Sequence, residues 1–475
     1  MNLFRLACIV IALTGFLACD ANEPNAPPEI PTVISGTDSA DVDQRVEVSV
    51  VARTPDGETL NLEVDWGDGR PADLYPDIES GLHLTIAHYF FSSGRYGMRC
   101  RAISHNGRIS AWSAPFVITI EGETQVGRGD WWMFMRDAQH SGHSPYAGPS
   151  IPVLAWRLPT PAAIRSSPAF DVSGTIHIGG DDFLLRAIYP DGALKWSYST
   201  GNAWIHNAPA IHDDGSVSFA GSSANIYRLA WNGEKLWNFS VNSPIVRSNV
   251  TLDDDGNIYV GSMDHSVYSL RPDGSLRWRA LTNGPVEGSP ALSLDQRVLY
   301  IGSQDQIMYA IHTDGRSSWT FPTSAPFTGS PSVGPTGNIH IGNEAGMLYA
   351  LRPDGGLAWQ RDLRSPIVTA PAVTRDAFVH VITSEGKLFR LNSAGEVLWD
   401  VVIAQAGGDG SPVVDVYGTT YVGTPDGRLT AVSAAGHILW RFEAGDAIES
   451  TPGIGPDGSI VFGSDDGYCY VLRER

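Results

Sequence analysis

The chain has 475 residues, 42% of them hydrophobic, with 51 glycines, 31 prolines and a formal charge of −20 at pH 7. That length allows more than one domain and a large buried core, and the glycine and proline content suits a turn-rich β protein. The cations are almost all arginine, with lysine only at Lys195, Lys235 and Lys387; so acidic a surface repels a phosphate backbone, and nucleic acid is not expected as a partner.

Residues 1–18 read as a signal peptide: Arg5 precedes an apolar run from Leu6 to Leu17 that is too short to span a bilayer. The run ends in Phe16-Leu17-Ala18-Cys19, which resembles a bacterial lipobox. The resemblance implies lipid on Cys19, with ordinary secretion as the alternative. Residues 19–31 are polar and proline-rich, a tether between anchor and body. An exported protein of the cell envelope is expected, on the periplasmic or surface side, meeting the membrane through the lipid alone. Cys8 leaves with the signal, and Cys100 and Cys469 fall in different domains, so both are read as buried thiols rather than a bridge.

Residues 32–121 carry short alternating runs such as VEVSVVA (46–52), LNLEVDW (60–66) and LHLTIAHYF (82–90). Period-two alternation between turns predicts an antiparallel β-sandwich. VDWGDG (64–69) followed by HYFFSSGRYGMRCRA (88–102) resembles a PKD-type immunoglobulin-like domain. Asp65 and Asp68 could face a cation, but a Gly-Asp-Gly turn is the reading preferred for them. Residues 122–130 are a polar linker.

Beyond the linker the text repeats. Trp156, Trp196, Trp237, Trp278, Trp319, Trp359, Trp399 and Trp440 stand 40 or 41 residues apart. Pro168, Pro209, Val250, Pro290, Pro331, Pro371, Pro412 and Pro452 keep the same beat. Such a period signals an array of like units. Within one unit, SPSVGPTGNIHIGNEAGMLYALRPDGGLAW (330–359) divides into four short strands at its turns, which is a propeller blade. The text after Trp440 lacks a fourth strand, and PVLAWRL before the first repeat supplies one. Joining them predicts an eight-bladed ring over 131–475, closed by the two ends of the domain, with no strand edge left open at the seam. The fold class is therefore all-β, an eight-bladed propeller of four-stranded blades beside a small Ig-like sandwich. A monomer is expected.

DWWMFMRDAQHSGHSP (130–145), with the units that follow it, resembles the PQQ-like propeller repeat family, which includes quinoprotein dehydrogenases and the assembly lipoprotein BamB. The resemblance implies that the recurring tryptophans pack between blades and have no catalytic role. A dehydrogenase of that family would carry adjacent cysteines, calcium-binding carboxylates and often C-x-x-C-H; no adjacent cysteines and no C-x-x-C occur, and no period is enlarged by an insertion. No cofactor, no metal ligand and no enzyme activity are expected from these residues. LDDDGN (252–257) is read as a turn, and His140 and His143 as packing or capping groups.

One position breaks the monotony. Three residues before the repeat proline, where each innermost strand begins, stand Arg165, His206, Arg247, Glu287, Thr328, Val368, Asp409 and Glu449. In a propeller this ring lines the central funnel. Arg165, His206 and Arg247 are expected to make a cationic sector that welcomes an anion, with Glu287, Asp409 and Glu449 opposite. The function expected is a non-catalytic platform for envelope proteins; a glycan-binding or adhesion protein and a PQQ-dependent dehydrogenase are the alternatives.

Overall fold

The computed structural model describes residues 26–42, 44–68, 72–90, 93–122 and 126–475. Every regular element among them is a strand, and they form two compact units divided between Thr124 and Gln125. The signal peptide and Cys19 lie outside the described residues.

The first unit has two sheets. One orders Thr32–Gly36, Arg45–Val51 and His83–Tyr89; the other orders Ser39–Asp41, Phe116–Glu121, Gly94–Ser104, Leu60–Asp65 and Asp73–Ile78. Alternation along RVEVSVV turns Val46, Val48 and Val50 to one face. They share a core with Leu62 and Val64, Met98 and Cys100, and Ile118 and Ile120 from the facing sheet. The two sheets thus pack as a β-sandwich. Asp65 accepts the Gly67 N–H at 2.9 Å and pairs with Arg99, and Asp68 meets His88 at 3.0 Å. Both carboxylates are used within the turn and its neighbours.

The second unit is a ring of eight four-stranded sheets. In the blade quoted above the strands are Ser332–Val333, Ile339–Gly342, Met347–Leu351 and Leu357–Asp362, joined in that order. Ile339–Gly342 is wholly buried, whereas Leu357–Asp362 is mostly exposed, so apolar content falls from axis to rim. The seam lies where the repeats placed it. Pro152–Pro159 pairs antiparallel with Tyr468–Glu474, Trp156 standing opposite Val471. Cys100 and Cys469 are both buried and free.

Each repeat tryptophan joins its blade to the next. Trp156 Nε1 donates to Pro190 O at 2.9 Å, Trp278 Nε1 to Thr313 O at 2.9 Å and Trp319 Nε1 to Pro353 O at 2.8 Å. Trp196, Trp237, Trp359 and Trp399 do the same one blade further on each time. Trp440 ends the series on Pro149 O at 3.0 Å, carrying it across the seam. The accepting turn also receives the indole ring: at Gly315, φ +94°, a Cβ would lie 2.8 Å from Trp278 Cγ. A tryptophan and a glycine about one period apart are thus two halves of one joint, and the tryptophans pack as the resemblance implied.

Candidate functional site

The innermost strands run from the ring of variable residues, past a belt of small polar residues, to a segment that closes the far end. That segment is WWMFMRDAQHSGHS (131–144). Its carbonyls accept backbone N–H groups from six of the eight inner strands: Trp131 from Phe170, Trp132 from Ile211, Ala138 from Leu292, Gln139 from Val333, Ser141 from Val373 and Gly142 from Val414. It winds once round the axis in chain order. His140 sits fully buried on it, Nδ1 at 3.1 Å from Pro331 O and Nε2 at 3.3 Å from Thr251 Oγ1. Burial pushes His140 down to about 4, so it is a neutral packing group, as read from the sequence. Among the described residues no cluster of histidine, cysteine and carboxylate side chains could hold a metal ion.

The belt lies just before the repeat proline. Ala208 N–H donates to Asn249 Oδ1, Asn249 N–H to Ser289 Oγ at 2.9 Å and Ser289 N–H to Ser330 Oγ at 2.8 Å. After the break at Ala370, whose side chain has no acceptor, it resumes as Ala370 N–H to Ser411 Oγ, Ser411 N–H to Thr451 Oγ1 and Thr451 N–H to Ser167 Oγ at 3.0 Å. The last bond spans 284 residues of chain and ties the eighth blade to the first. These bonds satisfy backbone donors that the short inner strands leave over.

Above the belt is a cavity of about 430 Å³, with Phe134 of the closing segment among its walls. All eight variable residues line it: Arg165, His206, Arg247, Glu287, Thr328, Val368, Asp409 and Glu449. A constant offset within the repeat, read off the sequence, thus becomes one continuous surface.

The electrostatics differ from expectation. Arg165 is engaged by Asp465 through two parallel bonds, Nε–Oδ1 at 2.9 Å and Nη2–Oδ2 at 2.8 Å. Arg247 reaches Asp409 at 2.7 Å. His206 Nε2 lies 2.6 Å from Asp181 Oδ1, and Trp204 stacks over its ring, centroids 5.9 Å apart and half exposed. No free cationic sector exists, because each of its three members has its own carboxylate. Two carboxylates have no such cation. Glu287 accepts from Gln304 Nε2 at 2.5 Å, and Glu449 accepts the Asp409 N–H at 2.7 Å. Burial raises the Glu449 carboxyl above its usual range; the Asp409 amide and Arg165 pull it down, while the charges of Asp409 and Asp465 push it up. Gly408 allows that approach, since a Cβ there would stand 2.6 Å from Glu449 Oε2. Two hydroxyls of the wall, Thr328 Oγ1 and Thr369 Oγ1, are buried without a hydrogen-bond partner.

Asp181, Gln304 and Asp465 escaped the sequence reading. They stand 16 or 17 residues after a mouth position, at the end of the second strand of a blade, where Ser222, Met263, Glu344, Ser384 and Pro425 occupy the other blades. The period carries that second ring as well as the first. Its chemistry is visible only once the two rings are known to face each other.

Residues 222–326 and 312–452 match the family described as outer membrane protein assembly factor BamB, PQQ_2. Comparison with curated proteins returns no match. Among solved structures, BamB from Moraxella catarrhalis is similar, with 17% identity and a TM-score of 0.59 over 68% of this chain and all of that one. The computationally designed Ika8 protein is similar at 14% identity and a TM-score of 0.57, over 66% of this chain and 97% of that one. With its eight four-stranded sheets closed into a ring, the C-terminal unit of the chain is a β-propeller, similar over residues 222–452 to the PQQ-like repeat family.

Proposed function

We propose that this is an exported, cell-envelope protein whose propeller serves as a non-catalytic platform for protein partners, tethered through lipid on Cys19 and the segment 19–31. One observation carries the reading. The repeats match the family described as outer membrane protein assembly factor BamB, and the side chains that recur in them are used in building the ring: tryptophans on turn carbonyls, belt hydroxyls on amides. The mouth residues, by contrast, differ in charge and polarity from blade to blade and line one cavity, where a partner's side chains could be met. The PKD-like reading of the first unit fits a spacer between anchor and platform.

A second reading, a glycan-binding propeller, is favoured by Trp204, which is 51% exposed at the lip beside His206; an exposed indole beside paired charges can stack on a sugar face.

The test is photo-crosslinking in the native envelope from positions 204 and 417, where Trp204 and Tyr417 are exposed. Discrete protein adducts, among them outer-membrane assembly components, are expected. Recovery of glycan with no protein adduct would replace the first reading by the second. Fractionation of Cys19→Ala tests the tether: the variant should leave the membrane, and unchanged association removes the anchor from the proposal.

A further inference from the structure

The mouth cavity contains an imbalance that its own residues do not resolve. On blades in ring order, Arg165 is matched by Asp465, His206 by Asp181 and Arg247 by Asp409. That leaves Glu287 on the fourth blade and Glu449 on the eighth, on opposite sides of a ring of eight, each hydrogen-bonded only by an amide, with Arg165 near Glu449 but paired to Asp465. A partly buried carboxylate hydrogen-bonded by neutral donors alone loses hydration without gaining a cation in contact. The wall between them carries Thr369, 4% exposed, whose Oγ1 has no partner, and the likewise unpartnered Oγ1 of Thr328. A lone hydroxyl in a buried wall can donate or accept, and beside two carboxylates it can accept an N–H from a shared cation, since buried polar groups are nearly always paired.

We propose that this cavity binds an organic cation, the ammonium or guanidinium of a basic side chain or a small amine, between Glu287 and Glu449 with its N–H groups on Thr328 and Thr369. Donors without acceptor capacity are what two carboxylates and two free hydroxyls can satisfy together, and ammonium and guanidinium are such groups. An anion would have to displace Asp465 from a two-bond pair with Arg165 or Asp409 from Arg247 before it met a free cation. The Arg247–Asp409 pair crosses the mouth and sets the access: both side chains are near half exposed, and exposed pairs of this kind are weak, so an incoming cation can take Asp409 for itself.

The proposal rests on the platform reading above, and its test is separate from it, because binding is measured on the purified chain without any envelope partner. The full chain is titrated calorimetrically with agmatine and with a capped Gly-Lys-Gly peptide; capped Gly-norleucine-Gly and Gly-Glu-Gly are the neutral and anionic controls. Binding of a basic probe at about 1 mM or tighter is expected, weakening with added salt, and the two basic probes separate a polypeptide source from a free amine. Glu287→Gln with Glu449→Gln should weaken it about tenfold or more. Arg247→Ala should tighten it severalfold by freeing Asp409, the sign opposite to that of an anion site. The proposal fails if neither basic probe binds wild type or Arg247→Ala below about 10 mM, or if the glutamate peptide binds best. It fails equally if a double glutamine variant of unchanged melting temperature keeps full affinity. Should that variant not fold, Arg247→Ala decides alone: tightening supports the site, and loss of binding overturns it.

Discussion

Arg247 and Asp409 belong to the third and seventh blades, opposite each other in the ring, and their side chains join at 2.7 Å across the mouth. A bond between opposed blades spans a distance that no bond between neighbours does, so it restrains the mouth's width directly. Both partners are exposed by more than two fifths, and ion pairs of this exposure are worth about 0–1 kcal/mol. Arg247→Ala, Asp409→Ala and the double variant should therefore show a coupling energy of at most about 1 kcal/mol in denaturant unfolding. A coupling several times larger would make the pair a structural tie, where weak coupling makes it an openable bar.

The blade joint predicts a contrast between two glycines. Gly315 and Gly201 both hold positive φ, +94° and +85°, but a Cβ at 315 meets the Trp278 ring while one at 201 meets nothing within 4 Å. Gly201→Ala should cost about 1 kcal/mol, from backbone conformation alone. Gly315→Ala should cost a further 1–3 kcal/mol of overpacking. Equal losses in thermal unfolding would mean that the indole gives way freely and does not hold the blades together.

Closure of the ring should be visible in hydrogen exchange. Pro152–Pro159 and Tyr468–Glu474 pair at seven positions, and Trp440, Thr451 and Ser150 add bonds across the same junction, Ser150 to the Glu474 carboxylate. Amides of Cys469, Val471 and Arg473 are expected to exchange as slowly as those of Ile307–His312 in an unbroken blade. Exchange at the seam faster by orders of magnitude would show a ring that opens there before it unfolds.

Acid should loosen the propeller before its carboxylates are titrated. Burial lowers His140 and His340 to about 4 and His212 and His380 to about 3. The unfolded chain takes up protons near pH 6.5 and the folded one does not, so stability is full above that value and is lost as pH falls toward 4. The slope is about 1.4 kcal/mol per pH unit for each histidine in that window. Glu449, raised in the folded state, works in the opposite sense but is one group against these four and His143, which burial also lowers. The melting temperature should drop steadily from pH 6.5 to 4.5, and a flat profile there would contradict the burial of these rings. His380→Gln, which keeps a partner for Thr420, should reduce the slope by about a quarter.

What could be read from the sequence is what repetition makes redundant. The 40- or 41-residue beat states the blade, its eight copies state the ring, and the missing and surplus strands at the two ends state the seam. Steric demands that recur in most blades leave recurring marks, such as Trp319 and Gly355, Pro331 and Ser332. The eight mouth residues were legible for the same reason, since equal offsets in equal blades reach equal heights. The pairing at the mouth was decided by tertiary structure. Asp465 lies 300 residues from Arg165 in the chain, and Asp409 lies four blades from Arg247. Charge pairing depends on distances of a few ångströms between side chains that no period relates, and only the closed ring brings them that near. Closure thereby turns an expected cationic sector into a set of matched pairs with Glu287 and Glu449 left over.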